Sequence, residues 1–212
     1  MNEDEHALIR AVYDRRAPYY NRLVNLLSCG QDHRYRAEAV SRLNLKKGDR
    51  VLDLGCGTGL NFGLIHAKVG ENGLIVGIDS SLGMLRKARE AAKKCSMGNA
   101  HLIAGDVSEV VMPRRFFDAI VATYLFSTIP DYQQALEHFL GSLKQGGTFV
   151  LADDILPAGW FAGPLIMGPW LLRHGWVNYS RQIIRYLRKA GGEVKVTWHH
   201  GGLIYIVSGK KV

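Results

Sequence analysis

The sequence predicts an α/β fold: a doubly wound, mostly parallel seven-stranded sheet that ends in an antiparallel C-terminal hairpin. Three observations lead there. Short apolar, β-prone runs alternate with helical stretches from Arg50 to Ala152, the pattern of strands joined by crossover helices. The first run, Val51-Leu52-Asp53-Leu54, feeds a loop of alternating glycines, Gly55, Gly57 and Gly59. Such a loop lets backbone approach a ligand closely, because no Cβ stands in the way. The tail differs: Glu193 to Trp198 and Leu203 to Val207 are β-rich and are joined through His199-His200-Gly201-Gly202.

The elements follow in order. A helix is expected over Glu3 to Arg15, with Ala7, Leu8, Ala11 and Val12 on one face. Pro18 interrupts, and Asn21 to Leu27 forms a short second helix. Asp32 opens a third, running to Leu43 with Ala39, Val40 and Leu43 inward. After Gly48 comes the strand Arg50 to Leu54, then a helix from Leu60 to Val69 that Gly70 ends. Leu74 to Ile78 is the second strand. Asp79-Ser80-Ser81 supplies N-cap chemistry for a helix to Lys94. Ala100 to Ala104 and Ala119 to Thr123 are strands. Asp131 caps a helix through Leu143, Gly146-Gly147 turns the chain, and Thr148 to Ala152 is the fifth strand.

At 212 residues the chain can bury a full core. It has no apolar run of about eighteen residues, so no membrane span is expected, and its acidic start, Met1-Asn2-Glu3-Asp4-Glu5, is no secretory signal. Cys29, Cys56 and Cys95 are scattered. They read as free thiols of a reducing compartment, hence a cytoplasmic protein, and no metal site is expected. The net charge of +8 comes from small groups such as Arg15-Arg16, Lys46-Lys47, Lys93-Lys94 and Arg114-Arg115. It favours anionic partners. The aromatic-interleaved strip of a nucleic-acid reader is missing, which disfavours nucleic acid.

Val76-Gly77-Ile78-Asp79 puts a carboxylate about twenty residues beyond the glycine loop, the offset at which an acid grips ribose hydroxyls. The loop is no P-loop, lacking Gly-Lys-Ser/Thr, and its third glycine comes one residue early for the dinucleotide fingerprint. The pair LDLGCGTG and GIDSSLGMLRKAR resembles the class I S-adenosylmethionine-dependent methyltransferases, over Arg50 to Asp153. The resemblance implies their Rossmann-like fold and S-adenosyl-L-methionine as cofactor. It places Gly55, Cys56, Gly57 and Gly59 beside the methionine part, with Asp53 organising that end and Asp79 on the ribose. Ser80 and Met84 would flank the nucleoside, and Asp106, between Gly105 and Val107, would accept from the adenine amino group. Thr123 and Tyr124 would face the reacting methyl.

The entry segment narrows the resemblance. Ala17-Pro18-Tyr19-Tyr20-Asn21, Leu27-Ser28-Cys29-Gly30 and Arg34-Tyr35-Arg36 are similar to the ubiquinone/menaquinone-biosynthesis methyltransferases and to one type of bacterial phospholipid N-methyltransferase. The usual Tyr-Asp pair is Tyr20-Asn21 here, and Leu125-Phe126-Ser127-Thr128-Ile129-Pro130 stands where the quinone enzymes carry Gly-Leu-Arg-Asn. The resemblance implies that residues 1–45 form a helical lid, with Tyr20 on the cofactor, over a methyltransferase domain at 46–212.

Residues 155–179 hold Trp160, Trp170 and Trp176 along with Pro157, Pro164 and Pro169. This bulky apolar insert cannot be one regular helix and suits the wall of an acceptor pocket. Ser180 then starts a helix with Arg181, Arg185, Arg188 and Lys189 beside Ile183, Ile184 and Leu187. It reads either as a contact with an anionic membrane or as a helix packed on the sheet with a solvated basic face. Methyl transfer needs alignment and exclusion of water, and a base where the acceptor must lose a proton. Asp153, Asp154, Tyr20 and His174 are the candidates, with His199 and His200 behind them. The expected acceptor is small and largely apolar or lipid-like, a phospholipid amine or a quinone precursor, met in the cytoplasm or at the inner face of the membrane. A tRNA- or protein-modifying enzyme and a non-catalytic S-adenosylmethionine binder stay open.

Overall fold

The computed structural model describes residues 3–28, 30–129, 132–154, 180–190 and 193–212. Three helices lead in: α1 (Glu3–Arg16), α2 (Tyr20–Leu27) and α3 (Asp32–Arg42). The alternating part follows as β1 (Arg50–Leu54), α4 (Phe62–Val69), β2 (Leu74–Asp79), α5 (Leu82–Lys94), β3 (Ala100–Ala104), β4 (Phe117–Thr123), α6 (Tyr132–Ser142) and β5 (Leu143–Asp154). It closes with α7 (Ser180–Ala190), β6 (Val194–His199) and β7 (Ile204–Lys210). The sheet order is β3-β2-β1-β4-β5-β7-β6. β7 pairs antiparallel with both β5 and β6, as the hairpin predicted, and the remaining pairs are parallel.

Each face of the sheet carries its own core. Alternate residues of β1 divide between them: Leu52 and Leu54 pack with Phe139 of α6 and Leu187 of α7, while Val51 packs with Ala39 and Val40 of α3 and Ile65 of α4. That two-sided burial is why the strands read as near-continuous apolar runs. α3 belongs to this core, with Ala39 and Val40 buried as its periodicity predicts.

Two features differ from expectation beyond small shifts at element ends. The α1 face is only partly the expected one: Leu8 and Val12 are half-buried, as are His6, Ile9 and Tyr13, while Ala7 and Ala11 are exposed. α1 lies over polar strand ends, where His6 meets the Asp106 carboxylate. β5 starts at Leu143, not Thr148, because Leu143 pairs with Phe117 across a register shift. Gly146, at φ 72, then turns within the strand and donates to the Lys211 carbonyl at 2.9 Å. The caps of α4 and α5 stand where predicted: Gly70 has φ 68, and Ser81 Oγ accepts from Met84 N–H at 3.1 Å. Asp131 and the insert at 155–179, with its tryptophans, lie outside the described residues.

Candidate active site

Chain order reverses between β1 and β4, and in open sheets that reversal leaves a crevice at the carboxyl ends of the strands. A cleft of about 720 Å³, counting its open mouth, occupies this place. Of the residues picked from sequence, Tyr20, Gly55, Cys56, Gly57, Asp79, Ser80, Met84, Asp106, Val107, Thr123 and Tyr124 border it. Asp53, Gly59 and Gly105 are not among its lining residues.

The glycine loop is shaped by backbone. Gly55, Gly57 and Gly59 all have positive φ, at 61°, 55° and 79°. At Gly55 a Cβ would also meet the Leu125 side chain at 2.6 Å, so its lack of a side chain lets the loop after β4 close down. Asp79 ties the loop to the next turn: Oδ2 accepts from Gly57 N–H at 2.8 Å and Oδ1 from Ser81 N–H at 2.9 Å. Burial pushes the Asp79 carboxyl upward, and these two N–H groups pull it back. Each carboxylate oxygen keeps a lone pair for a further donor, such as a ribose hydroxyl. Asp106 is held similarly, with Oδ1 accepting from Ser108 N–H and Oγ–H at 2.8 and 2.6 Å.

Asp53 has a different task. It is fully buried, and Asn61 Nδ2 donates to both its oxygens at 3.0 and 3.2 Å. Burial raises its pKa to about 7, against the pull of Asn61 and Arg36. Asn61 joins it to Arg36, a residue of α3 that sequence reasoning did not single out as a site residue. Arg36 Nε donates to Asp32 at 2.8 Å, and Nη1 to Thr123 Oγ1 at 2.5 Å and Asn61 Oδ1 at 3.3 Å. Burial alone would lower its pKa, but Asp32 outweighs this and the net shift is upward. Arg36 therefore stays a guanidinium at the edge of the cleft. Its Nη2 has no partner among the described residues. The clue was its i, i+4 spacing from Asp32, but an ordinary helix-surface pair has the same spacing.

Tyr124 stacks over that guanidinium, with its ring centroid 5.1 Å from the Arg36 carbon. Its φ is 56°, an outlier for a bulky aromatic residue and a kind of strain that gathers at functional sites. Its N–H donates to the Ala152 carbonyl at 2.8 Å, which fixes the turn. Thr128 and Ile129 continue this wall.

The catalytic candidates separate. Tyr20 borders the cleft. Asp153 is buried, and its Oδ2 accepts from Ser127 N–H at 2.9 Å, holding the loop after β4. His199 sits by α3, 5.2 Å from the Tyr35 ring and 3.4 Å from Glu38 Oε1. His174 and the Asp154 side chain lie outside the described residues. The Cys56 thiol is buried and its pKa raised by burial and by Asp53 and Asp79, so it packs as a neutral group. Among the described residues no group of His, Cys, Asp and Glu could hold a metal, and no helix is long and apolar enough to cross a membrane.

From above the cleft come α1 and α2, whose Ile9, Tyr13 and Tyr20 also line it. Thr58 Oγ1 donates to Asn21 Oδ1 at 2.5 Å, fastening α2 to the glycine loop. Asn21 thus supplies the accepting oxygen.

Comparison with known proteins accords with this geometry. Residues 45–160 match a family model described as a methyltransferase domain. A demethylmenaquinone methyltransferase of Listeria welshimeri is 30% identical over 162 residues, which cover 76% of this chain and 69% of the relative. Among solved structures, a SAM-dependent methyltransferase from Aquifex aeolicus superposes with a TM-score of 0.59 at 19% identity, covering 84% of this chain and 89% of that one. A Haemonchus contortus phosphoethanolamine N-methyltransferase, in complex with phosphoethanolamine and S-adenosylhomocysteine, reaches 0.73 at 16% identity, over 100% of this chain and 50% of that one.

Proposed function

This chain belongs to the class I S-adenosylmethionine-dependent methyltransferases, and from that premise we propose that it methylates a quinone precursor, a small and largely apolar hydroxylated ring. The observation that carries the proposal is the cleft at the β1/β4 reversal, lined by the carboxylates Asp79 and Asp106 together with apolar and aromatic groups such as Tyr20, Tyr124, Leu125 and Ile129. The name of the Listeria relative supports the acceptor class. The residues present suit the cofactor. Asp79 and Asp106 are acceptors facing what would be the ribose hydroxyls and the adenine amino group. Gly55 and Gly57 leave room for the methionine part, and Arg36 Nη2 would receive its carboxylate in a charge-assisted bond.

S-adenosylmethionine, when bound, supplies a methyl group on a positively charged sulfur, which leaves without needing an acid. The protein's task is alignment and the exclusion of water. Tyr20 and Tyr124 flank the space beside Thr123, with Leu125 and Ile129 as the apolar side. A hydroxylated ring must lose a proton to become a good nucleophile. Tyr20, of the candidates whose side chains are described, borders the cleft and is the group we place in a hydrogen bond to the ring hydroxyl. The insert at 155–179 would complete the acceptor wall. The exposed Arg185 and Arg188 of α7 would draw the protein to anionic headgroups, where such acceptors dissolve.

The test is methyl transfer from radiolabelled S-adenosylmethionine, with the labelled product identified. The offered acceptors are a short-chain demethylated naphthoquinol, phosphoethanolamine and unmodified tRNA. The expected outcome is label on the naphthoquinol ring. Label on either of the others instead would overturn the acceptor class and leave the methyltransferase reading intact.

A further inference from the structure

α1 reaches the cleft by polar contacts with the two strand-end turns that the nucleoside reading uses. Near its C-terminus, Asp14 Oδ1 accepts from Gly83 N–H at 2.6 Å and from Ser81 Oγ–H at 2.7 Å. A residue of α1 thereby caps the N-terminus of α5, where a carboxylate is favoured by unpaired N–H groups and by the helix dipole. Ser81 passes the contact inward: its Oγ accepts from Met84 N–H, and its own N–H donates to Asp79. Asp79 in turn holds Gly57. Near its other end, His6 Nδ1 lies 2.7 Å from Asp106 Oδ2. Ile9 and Tyr13, between these two anchors, line the cleft.

The close approach depends on Gly83. A Cβ there would stand 2.9 Å from the Asp14 carbonyl oxygen and 3.1 Å from its Cα. Those are backbone atoms of another helix, so they cannot swing aside as a side-chain tip would. Nothing in the φ of Gly83 calls for glycine; the packing of α1 does.

We propose that α1 is a clamp on the nucleoside side of the cleft, and that Asp14 is a positioning residue for the cofactor, acting through Ser81 and Asp79. Docking of α1 and retention of the cofactor are then one equilibrium. The inference rests on reading the cleft as the S-adenosylmethionine site.

The contact can be broken from either side, which makes it testable. Asp14→Ala removes the cap, and Gly83→Ala pushes α1 away. Alanine normally favours a helix over glycine, so helix propensity alone expects Gly83→Ala to be neutral or stabilising. The clamp expects each change to weaken S-adenosylhomocysteine binding about tenfold by calorimetry, the usual scale of a lost cap. The Asp14→Ala/Gly83→Ala double variant should lose no more than either single one, because both open the same contact. Asp14→Asn, which keeps an accepting oxygen, should recover most of the affinity. The KM for S-adenosylmethionine should rise, while kcat at saturating cofactor and the acceptor KM should stay within about twofold. Hydrogen exchange on the unaltered protein gives a check that needs no variant: S-adenosylhomocysteine should protect residues 3–16 and 81–84 together. Multiplying losses in the double variant, a fall in kcat alone, or exchange in α1 that ignores the ligand would overturn the clamp. If the unaltered protein binds no S-adenosylhomocysteine at all, the cleft reading falls first and the clamp with it.

Discussion

The two halves of the cleft are built by different means. At the ends of β2 and β3, each carboxylate takes a backbone N–H of its own turn, Asp79 from Ser81, two residues on, and Asp106 from Ser108, while Asp79 also ties in Gly57 of the glycine loop and Asp106 meets His6 of α1. At the ends of β1 and β4, the polar groups are assembled from afar. Arg36 reaches Thr123 across 87 residues and Asn61 across 25, and Asp153 reaches Ser127 across 26. The own-turn bonds of the first half can form as soon as its strand ends form. The second exists only once α3, α4 and the sheet have packed together. Damage should follow the same division: local and ligand-specific at the β2 and β3 ends, global in the other half.

The largest effect is expected from Arg36→Ala. It strips Asp32 and Asp53 of their buried cation and should destabilise the fold by about 3–5 kcal/mol, as loss of one partner of a buried pair does. Urea unfolding checks this, and a loss confined to ligand affinity would show that the network is not part of the core. Asp53 itself gives a pH signature. Its folded pKa, about 7, lies above the ordinary carboxylate value, so the folded state holds the proton more tightly than the unfolded chain. Its contribution is therefore fully present below about pH 4 and is lost as pH rises to about 7, a change on the order of a few kcal/mol. Asp53→Asn should flatten that slope and make the variant the more stable form at pH 8. An unchanged slope between pH 4 and 7 would assign the pH dependence elsewhere.

Asp79→Ala belongs to the local half. It should weaken S-adenosylmethionine binding by about 1.5–3 kcal/mol in calorimetry through lost charge-assisted hydrogen bonds. Its cost in global stability should be smaller than that of Arg36→Ala. Equal stability losses would erase the contrast between the halves. The smallest effect concerns α7. Arg185→Gln and Arg188→Gln should each weaken binding to anionic vesicles by about 1 kcal/mol, without changing cofactor affinity. Vesicle binding that ignores both changes and added salt would limit α7 to its packing role, through Ile183, Ile184 and Leu187.

The strands and most helices were legible because each announces itself within a few residues: an apolar run, a cap such as Ser81, a stop such as Gly70. Leu143 was not, since a leucine suits the end of a helix as well as the start of a strand, and its pairing with Phe117 is a tertiary fact. In the cleft, Asp79 and the glycines were legible because their spacing is set by one βαβ unit. Asp53 was legible as a residue but its partners were not: in β1 its side chain lies on the face of Val51 and is bonded by Asn61. His6 and Asp14 left no trace, for α1 carries them amid ordinary helix polarity.

By itself, then, the sequence determined the alternating architecture, the glycine loop, the strand-end carboxylates Asp79 and Asp106 and the family, since those depend on periodicity and short spacings that survive as a one-dimensional pattern. Tertiary structure alone decided that Arg36 is a buried cation beside Thr123 and Tyr124, that Asp53 is a partner of that network, and that α1 closes on α5 through Asp14 and Gly83. The physical reason is that burial and long-range hydrogen bonds turn on which surfaces meet. A guanidinium or carboxylate has the same local sequence whether it ends in solvent or in the core.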